Sequence, residues 1–61
     1  SKIRIERAEE LLLSTSMSVQ QVAEASGYND AKYFMRVFKQ HTGLTPTRYR
    51  TSFTMRHYNN A

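Results

Sequence analysis

The 61-residue chain contains no cysteine, and this absence excludes disulfides and metal sites built on thiolates. It also lacks a long apolar run: its longest aliphatic block is Leu11, Leu12 and Leu13, whereas a membrane span needs roughly 20 apolar residues. The first residues carry scattered charges and no continuous apolar segment, so a secretory signal is not expected. We therefore expect a soluble, cytoplasmic protein.

The chain is too short for more than one domain. A chain of this size buries only about 60% of the surface that its unfolded form exposes, so its stability is expected to be marginal. Its hydrophobic fraction of 39% is ordinary for a compact helical domain and too high for a disordered tail.

Acidic residues are missing from the second half of the chain. All five acids lie at or before Asp30, whereas six of the nine basic residues follow it. The net charge is +4 and the pI is about 9.9, a balance compatible with nucleic acid or anionic lipid. The second half is therefore expected to face an anion.

Apolar residues at a three-and-four spacing predict a first helix over residues 3–13. Its apolar stripe consists of Ile5, Ala8, Leu11 and Leu12. No capping signal precedes Ser1, so residues 1–17 are interpreted as part of a longer linker helix and its end, in a larger protein. The polar residues 14–16 prefer to bond their own backbone and are expected to end this helix.

The rest of the chain is organised around residues 18–38. Ser18 is a good N-cap for a second helix, and Gln21 three residues later completes a capping box. Gly27 follows where the chain must turn sharply, because glycine reaches a positive φ without steric cost. The apolar face of this second helix is small and consists of Val22, Ala23 and Ala25.

A third helix is predicted from its N-cap, Asp30, to about Thr42, with Gly43 just beyond its end. One face carries Phe34, Val37, Phe38 and His41, and the opposite face carries Lys32, Met35, Arg36 and Lys39. Thr45 and Pro46 then open a fourth helix within residues 43–54. Residues 55–61 are expected to fray.

The predicted fold is all-α: a small, homeodomain-like helix-turn-helix bundle of about four helices. Its helix-turn-helix spans residues 18–42. The apolar residues expected inside it are Leu12, Val22, Ala23, Tyr28, Phe34, Val37, Phe38 and Leu44.

A helix that follows such a turn and presents a basic face is a common way to read the DNA major groove. We therefore predict that residues 30–42 form a recognition helix that binds double-stranded DNA. Arginine can donate two hydrogen bonds to guanine, lysine can reach a guanine or a phosphate, and an alanine methyl can meet a thymine methyl. The predicted base-reading residues are Ala31, Lys32, Met35 and Arg36.

Phosphate contacts are predicted at the two helix starts near residues 18 and 45, where backbone N–H groups can hold an anion. The predicted contact residues are Ser18, Gln20, Lys39, Thr47 and Arg48. Arg50 would add further positive charge. Capping alone would explain much of the presence of Ser18 and Thr45.

Catalysis is not indicated. His41 and His57 are far apart in sequence, and neither lies near a cysteine or a carboxylate at ligand spacing. Gly27 and Gly43 form no phosphate loop, and the chain is too short to enclose a substrate pocket. We expect no enzyme activity, no metal and no cofactor, and we expect His41 to be a half-buried packing residue.

Two other classes of function stay open at this point. In the first, Met35 and the outward face of the third helix would dock a protein such as RNA polymerase. In the second, the chain would bind anionic membranes, which requires a large apolar helix face left over after core packing. The sequence shows no such face.

The chain resembles the AraC/XylS family of bacterial transcription regulators over nearly all of residues 5–50, most specifically over residues 27–50. The residues that carry this resemblance are Ile5, Ala8, Leu11, Leu12, Ser18, Val22, Ala23, Gly27, Tyr28, Asp30, Tyr33, Phe34, Arg36, Phe38, Lys39, Gly43, Thr45, Pro46, Tyr49 and Arg50.

The resemblance implies the second, C-terminal unit of a DNA-binding domain that has two helix-turn-helix units joined by a long helix. The first unit and an effector domain would lie elsewhere in the full-length protein, which would act at the bacterial nucleoid and contact RNA polymerase. Two positions depart from the family pattern: Ala31 stands where proline is frequent, and Met35 where a small polar residue is frequent. Both are predicted base-reading positions, so the departures concern the target sequence and not the fold.

Overall fold

The computed structural model describes the backbone of residues 1–60 and the side chains of residues 1–53. It consists of four helices: α1 (Lys2–Ser14), α2 (Val19–Ala25), α3 (Ala31–Thr42) and α4 (Pro46–Asn60). No strand occurs among residues 1–60, so the all-α prediction is confirmed. The fourth helix extends past its predicted end at 54, and the fraying predicted for residues 55–61 lies outside the fully described residues.

The first two helices begin at serine caps. In α1, the Ser1 hydroxyl accepts a hydrogen bond from the Arg4 backbone N–H at 3.4 Å. In α2, the Ser18 hydroxyl accepts from the Gln21 backbone N–H at 3.1 Å, while the Ser18 N–H donates to Gln21 Oε1 at 2.9 Å. The predicted capping box is therefore confirmed.

The last two helices also begin at the predicted caps. Asp30 Oδ1 accepts from the backbone N–H groups of Lys32 at 2.9 Å and Tyr33 at 3.4 Å. The Thr45 hydroxyl accepts from the Arg48 N–H at 3.2 Å. Because these groups have no acceptor inside their own helix, the caps fix where α3 and α4 start.

The core is a single cluster that draws on α1, α2 and α3. Phe34 and Phe38 have no exposed surface, and the other apolar members are also buried. The cluster consists of Ile5, Ala8, Leu12, Val22, Ala23, Tyr28, Phe34 and Phe38. Most of the predicted core is therefore confirmed, with Ile5 and Ala8 added from α1.

Four expectations about burial were wrong. Val37 and Leu44 are only half-buried, since Val37 lies at the edge of the buried stripe of α3 and Leu44 lies in the loop before α4. Ala25 is exposed because, at about 100° per residue, it lies almost opposite Ala23 around α2. His41 is exposed because it lies in the last turn of α3, beside a groove against α1.

Aromatic rings form a continuous row through the molecule. Neighbouring ring centroids lie 6.1, 5.3, 5.7, 5.3 and 4.8 Å apart, within the range in which aromatic pairs attract. The row connects the end of the α2–α3 turn to α3 and then to α4. Its members, in order, are Tyr33, Tyr28, Phe34, Phe38, Tyr49 and Phe53.

The turn between α2 and α3 depends on Gly27, which has a φ of 95°. The Gly27 N–H donates to the Glu24 carbonyl at 3.1 Å, and the Tyr28 N–H donates to the Ala23 carbonyl at 2.9 Å. This pair of hydrogen bonds is a Schellman motif, which ends α2 and turns the chain sharply. The predicted turn is confirmed, and it delivers Tyr28 into the core.

Arg4 closes over this turn from α1. Its guanidinium carbon lies 5.6 Å from the centroid of the Tyr28 ring, at the distance of a cation–π contact. A Cβ added to Gly27 would lie 3.3 Å from Arg4 Nε. The absence of a side chain at Gly27 therefore allows both the backbone conformation and the approach of Arg4.

Replacing each glycine by alanine separates these two effects. Gly43 also has a positive φ, of 84°, but nothing lies within 4 Å of its added Cβ. We expect Gly43→Ala to lower the free energy of unfolding by about 1–2 kcal/mol through backbone strain alone. Gly27→Ala should lower it further because the Arg4 side chain must also shift to accommodate the added Cβ. Urea denaturation followed by circular dichroism measures both, and equal losses would contradict this assignment.

Candidate nucleic-acid interface

The side of α3 that faces solvent is determined by which side is buried in the core. Burial of Phe34 and Phe38 turns the opposite stripe of the helix to solvent, where Lys32, Arg36 and Lys39 are exposed. These three side chains lie at intervals of three and four residues, so they share one stripe. The structure therefore brings together the three basic residues predicted for this face.

The two apolar residues predicted to read bases lie along one edge of this stripe. Met35 is 37% exposed, so part of its side chain is open to solvent on this edge. Ala31, one turn earlier, is half-buried and packs against the core, so only part of its methyl group faces outward. Met35 is thus the main apolar contact that this edge offers.

Tyr33 lies on the opposite edge of the stripe, and the sequence analysis placed it neither in the core nor among the DNA contacts. Its side chain is 52% exposed, and its ring centroid lies 6.1 Å from that of Tyr28. It therefore presents an exposed phenol, a hydrogen-bond donor, at this edge. The sequence feature that could have indicated its exposure is the position of Tyr33 on the helix, between the buried Phe34 and the exposed Lys32.

The start of α2 combines capping with free donors. The Ser18 oxygen accepts a hydrogen bond from Gln21, so the predicted capping role is real. The proton of the Ser18 hydroxyl remains a donor, and Gln20 is exposed in the first turn. Backbone N–H groups of a first helical turn have no acceptor within the helix. Capping and anion binding are therefore compatible at this helix start.

The start of α4 offers fewer backbone donors. Pro46 has no N–H, and the Arg48 N–H is used by the Thr45 cap. Thr47 therefore carries the remaining N–H of the first turn, and the side chains of Thr47 and Arg48 are exposed. Anion binding at this end depends on these two residues.

A groove joins the end of α3 to the start of α4. It has a volume of about 390 Å³ and is lined by Lys39, Gly43, Leu44, Thr45 and Arg48. The structure therefore brings Lys39 and Arg48 to a single groove, although eight residues separate them in sequence. Two positively charged side chains at one open groove form a site that suits an anion such as a phosphate.

Arg50 does not face outward with these residues, so the expectation that it adds charge to the phosphate contacts was wrong. Its Nε donates to the Leu12 carbonyl at 2.9 Å, and its Nη2 donates to the Thr15 carbonyl at 3.3 Å. The guanidinium binds at the end of α1 because carbonyls in the last helical turn receive no N–H donor from within the helix. Nothing in the local sequence of α4 indicates this contact.

Tyr49 follows Arg48 on α4 and has a perturbed pKa. Burial raises the pKa of the Tyr49 phenol above its usual 10.0, and the nearby Glu9 raises it further through its charge and a hydrogen bond. Tyr49 also makes an edge-to-face contact with Phe38, at 5.3 Å between centroids. The protonated phenol thus helps to hold α4 against α1 and α3.

The raised pKa makes stability depend on high pH. Because the pKa of Tyr49 is higher in the folded state than in the unfolded state, the protonated phenol stabilises the fold below about pH 10, the pKa in the unfolded state. This stabilisation is lost as the pH rises through the pKa in the folded state. We expect the free energy of unfolding to fall between about pH 9 and about pH 11, and to fall less in Tyr49→Phe. Urea denaturation at both pH values measures this difference; an equal fall in both proteins would contradict the role of Tyr49.

Other kinds of site find little support in the described part of the chain. Residues 1–53 hold no group of three or more histidine, cysteine, aspartate or glutamate side chains placed to bind a metal. His57 lies outside the fully described residues. Among the described residues, no helix has the length and apolarity to cross a membrane.

Comparison with known proteins gives a consistent result. A family model described as "Helix-turn-helix domain" matches residues 1–52. The HTH-type transcriptional activator RhaR of Mannheimia succiniciproducens is 46% identical over 52 residues, which cover 85% of this chain and 19% of RhaR. The MmsAB operon regulatory protein of Pseudomonas aeruginosa is 46% identical over 48 residues, 79% of this chain and 16% of that protein.

A solved structure agrees with these sequence relatives. The C-terminal domain of AraT, a response regulator from Geobacillus stearothermophilus, superposes with a TM-score of 0.82 at 45% identity, covering 84% of this chain and 42% of that chain. The fold and the relatives together define a helix-turn-helix domain of transcription regulators. The chain belongs to the AraC/XylS family of DNA-binding transcription regulators. It spans less than a fifth of the length of RhaR or the MmsAB regulator.

Proposed function

We propose that this chain binds double-stranded DNA sequence-specifically, with α3 in the major groove. The observation that carries the proposal is the orientation of α3. Phe34 and Phe38 are completely buried, and the basic stripe on the opposite side is exposed directly after a helix-turn-helix turn. An α-helix fits the width of the major groove, and long donors on its outer face can reach base edges.

Each predicted base-reading residue has a distinct chemistry. Arg36 is suited to donate two parallel hydrogen bonds to the O6 and N7 atoms of a guanine. Lys32 can reach the same acceptors with a single ammonium group. Met35, together with the exposed part of the Ala31 methyl, is suited to apolar contact with a thymine methyl. Base recognition would therefore combine hydrogen bonds from the basic residues with an apolar contact along one edge of the stripe.

The phosphate contacts would position α3 without reading sequence. At the start of α2, Ser18 and Gln20 supply exposed donors. At the other end, Lys39 and Arg48 line one groove, and Thr47 adds its N–H and hydroxyl. Because one set lies at the start of α2 and the other at the end of α3 and the start of α4, they would hold the DNA backbone at both ends of the recognition helix.

We infer that the chain is the second, C-terminal helix-turn-helix unit of a longer bacterial regulator. It matches 42% of the AraT C-terminal domain, so a domain of that kind has room for a second unit. The first unit and an effector domain would then lie elsewhere in the full-length protein. Its relatives are transcription regulators by name, and we propose that this chain likewise performs no catalysis.

One observation favours a second candidate function. Met35 exposes an apolar side chain on the same face, and methionine adapts well to protein surfaces. In this alternative, α3 docks a protein such as RNA polymerase instead of DNA. The two functions predict different responses to salt, because DNA binding releases counterions and a methionine-centred interface does not.

The salt dependence of binding tests the proposal. If about four phosphates are neutralised, the logarithm of the affinity for a mixed-sequence duplex should fall with the logarithm of salt at a slope near −3.6. Fluorescence anisotropy across a salt series measures this slope. A slope near zero, or no binding at low salt, would contradict DNA binding and favour the protein-docking alternative.

Arg36→Ala tests the placement of α3 within the groove. The variant should weaken binding to a selected duplex by about 1–3 kcal/mol while its thermal unfolding stays close to wild type, because Arg36 is exposed. Arg7→Ala is the matched control, since it removes the same charge from an exposed position on α1. Equal affinity losses in the two variants would show that only net charge matters and that α3 does not read bases.

A further inference from the structure

The helix α1 ends without a left-handed C-cap. Its last turn contains no basic residue, and its C-cap, Thr15, is extended, with φ −135° and ψ 168°. No glycine follows, so the usual left-handed ending that satisfies the last carbonyls is missing. Thr15 satisfies the Leu11 carbonyl at this end, whereas the Leu12 and Thr15 carbonyls require partners from outside the helix.

Arg50 of α4 supplies these partners. Its hydrogen bonds to the carbonyls of Leu12 and Thr15 cross 38 and 35 residues of sequence, and its charge is favourable at the negative end of the α1 dipole. A guanidinium is suited to this task because it presents several donors in a fixed plane. Arg50 is therefore a C-cap of α1 delivered by a different helix.

The loop that receives Arg50 leads directly to α2. The Thr15 hydroxyl donates to the Leu11 carbonyl at 2.6 Å and accepts from the Met17 N–H at 3.2 Å. These hydrogen bonds fold the loop tightly, and Ser18 begins α2 only three residues after Thr15. The position of the Thr15 carbonyl thus limits where α2 starts.

At its own end, Arg50 follows Arg48 by two residues in the first turns of α4. One side chain therefore connects the start of α4 to the loop before α2. These are the two helix starts to which the phosphate contacts are assigned. We propose that Arg50 is a positioning residue: it sets the spacing between the phosphate-contacting starts of α2 and α4 without touching DNA. The inference rests on the proposed function.

A positioning role for Arg50 can be distinguished by experiment from two simpler roles, a direct phosphate contact and a purely structural role. Correct spacing matters for a specific complex, in which both helix starts and α3 engage at once, whereas non-specific binding depends chiefly on charge. A positioning residue should therefore affect specific binding selectively. A direct phosphate contact would weaken all DNA uniformly and reduce the salt slope by about 0.9. A purely structural residue would change neither affinity once the domain is folded.

The experiment compares Arg50→Lys and Arg50→Met with matched variants of Arg48. Lysine keeps the charge, but its single ammonium group does not reproduce the planar pair of donors. The probes are a 20-base-pair duplex selected by the wild-type chain from a random library, and a scrambled duplex of the same composition. Circular dichroism first establishes a temperature at which each variant is folded. If Arg50→Met does not fold, Arg50→Lys alone carries the test.

The expected result is a loss of roughly tenfold in affinity for the selected duplex in the Arg50 variants, the size of one lost positioning contact. Their affinity for the scrambled duplex and their salt slope should stay at wild-type values. Arg48→Met should instead weaken binding to both duplexes and reduce the slope by about 0.9.

Two results would overturn the inference while leaving the proposed function intact. In one, folded Arg50 variants bind both duplexes as the wild type does, so that Arg50 is only structural. In the other, Arg50→Met behaves like Arg48→Met and Arg50→Lys behaves like the wild type, so that Arg50 is a phosphate contact. If the wild type itself shows no salt-dependent binding and Arg48→Met has no effect, the proposed function fails, and the inference fails with it.

Discussion

Phe34 and Phe38 lie four residues apart on α3, and neither exposes any surface. In a chain of 61 residues, these two rings and Tyr28 account for a large share of the apolar area that folding can bury. Their burial leaves α3 only one possible orientation about its axis. The cationic stripe faces outward because the aromatic stripe faces inward, so core packing and the proposed DNA contact depend on the same constraint.

The helix starts connect this core to the interface. Ser18, Asp30 and Thr45 each satisfy backbone N–H groups of a first turn, and each fixes where its helix begins. Gly27 sets the sharp exit from α2 that brings α3 across the bundle. These features are local, yet their combined effect is global, since they arrange the two proposed phosphate-contacting ends around the recognition helix.

The predictions that succeeded from sequence depend on neighbours within about four residues, the range of caps, turns and helical stripes. The capping box at Ser18, the turn at Gly27 and the buried faces of Phe34 and Phe38 are of this kind. Arg50 was assigned wrongly because its partners lie at the far end of the bundle, on α1. His41 has the correct helical phase for burial, but it lines an open groove against α1 and therefore stays exposed.

The central claim is that one face, formed by α3 and the starts of α2 and α4, meets DNA. The most direct test follows backbone amide shifts by NMR during titration with a short mixed-sequence duplex, at low and at moderate salt. The account predicts shifts concentrated at residues 18–20, 31–36 and 47–48, which diminish as salt rises. Shifts centred on α1, or no shifts at low salt, would contradict it.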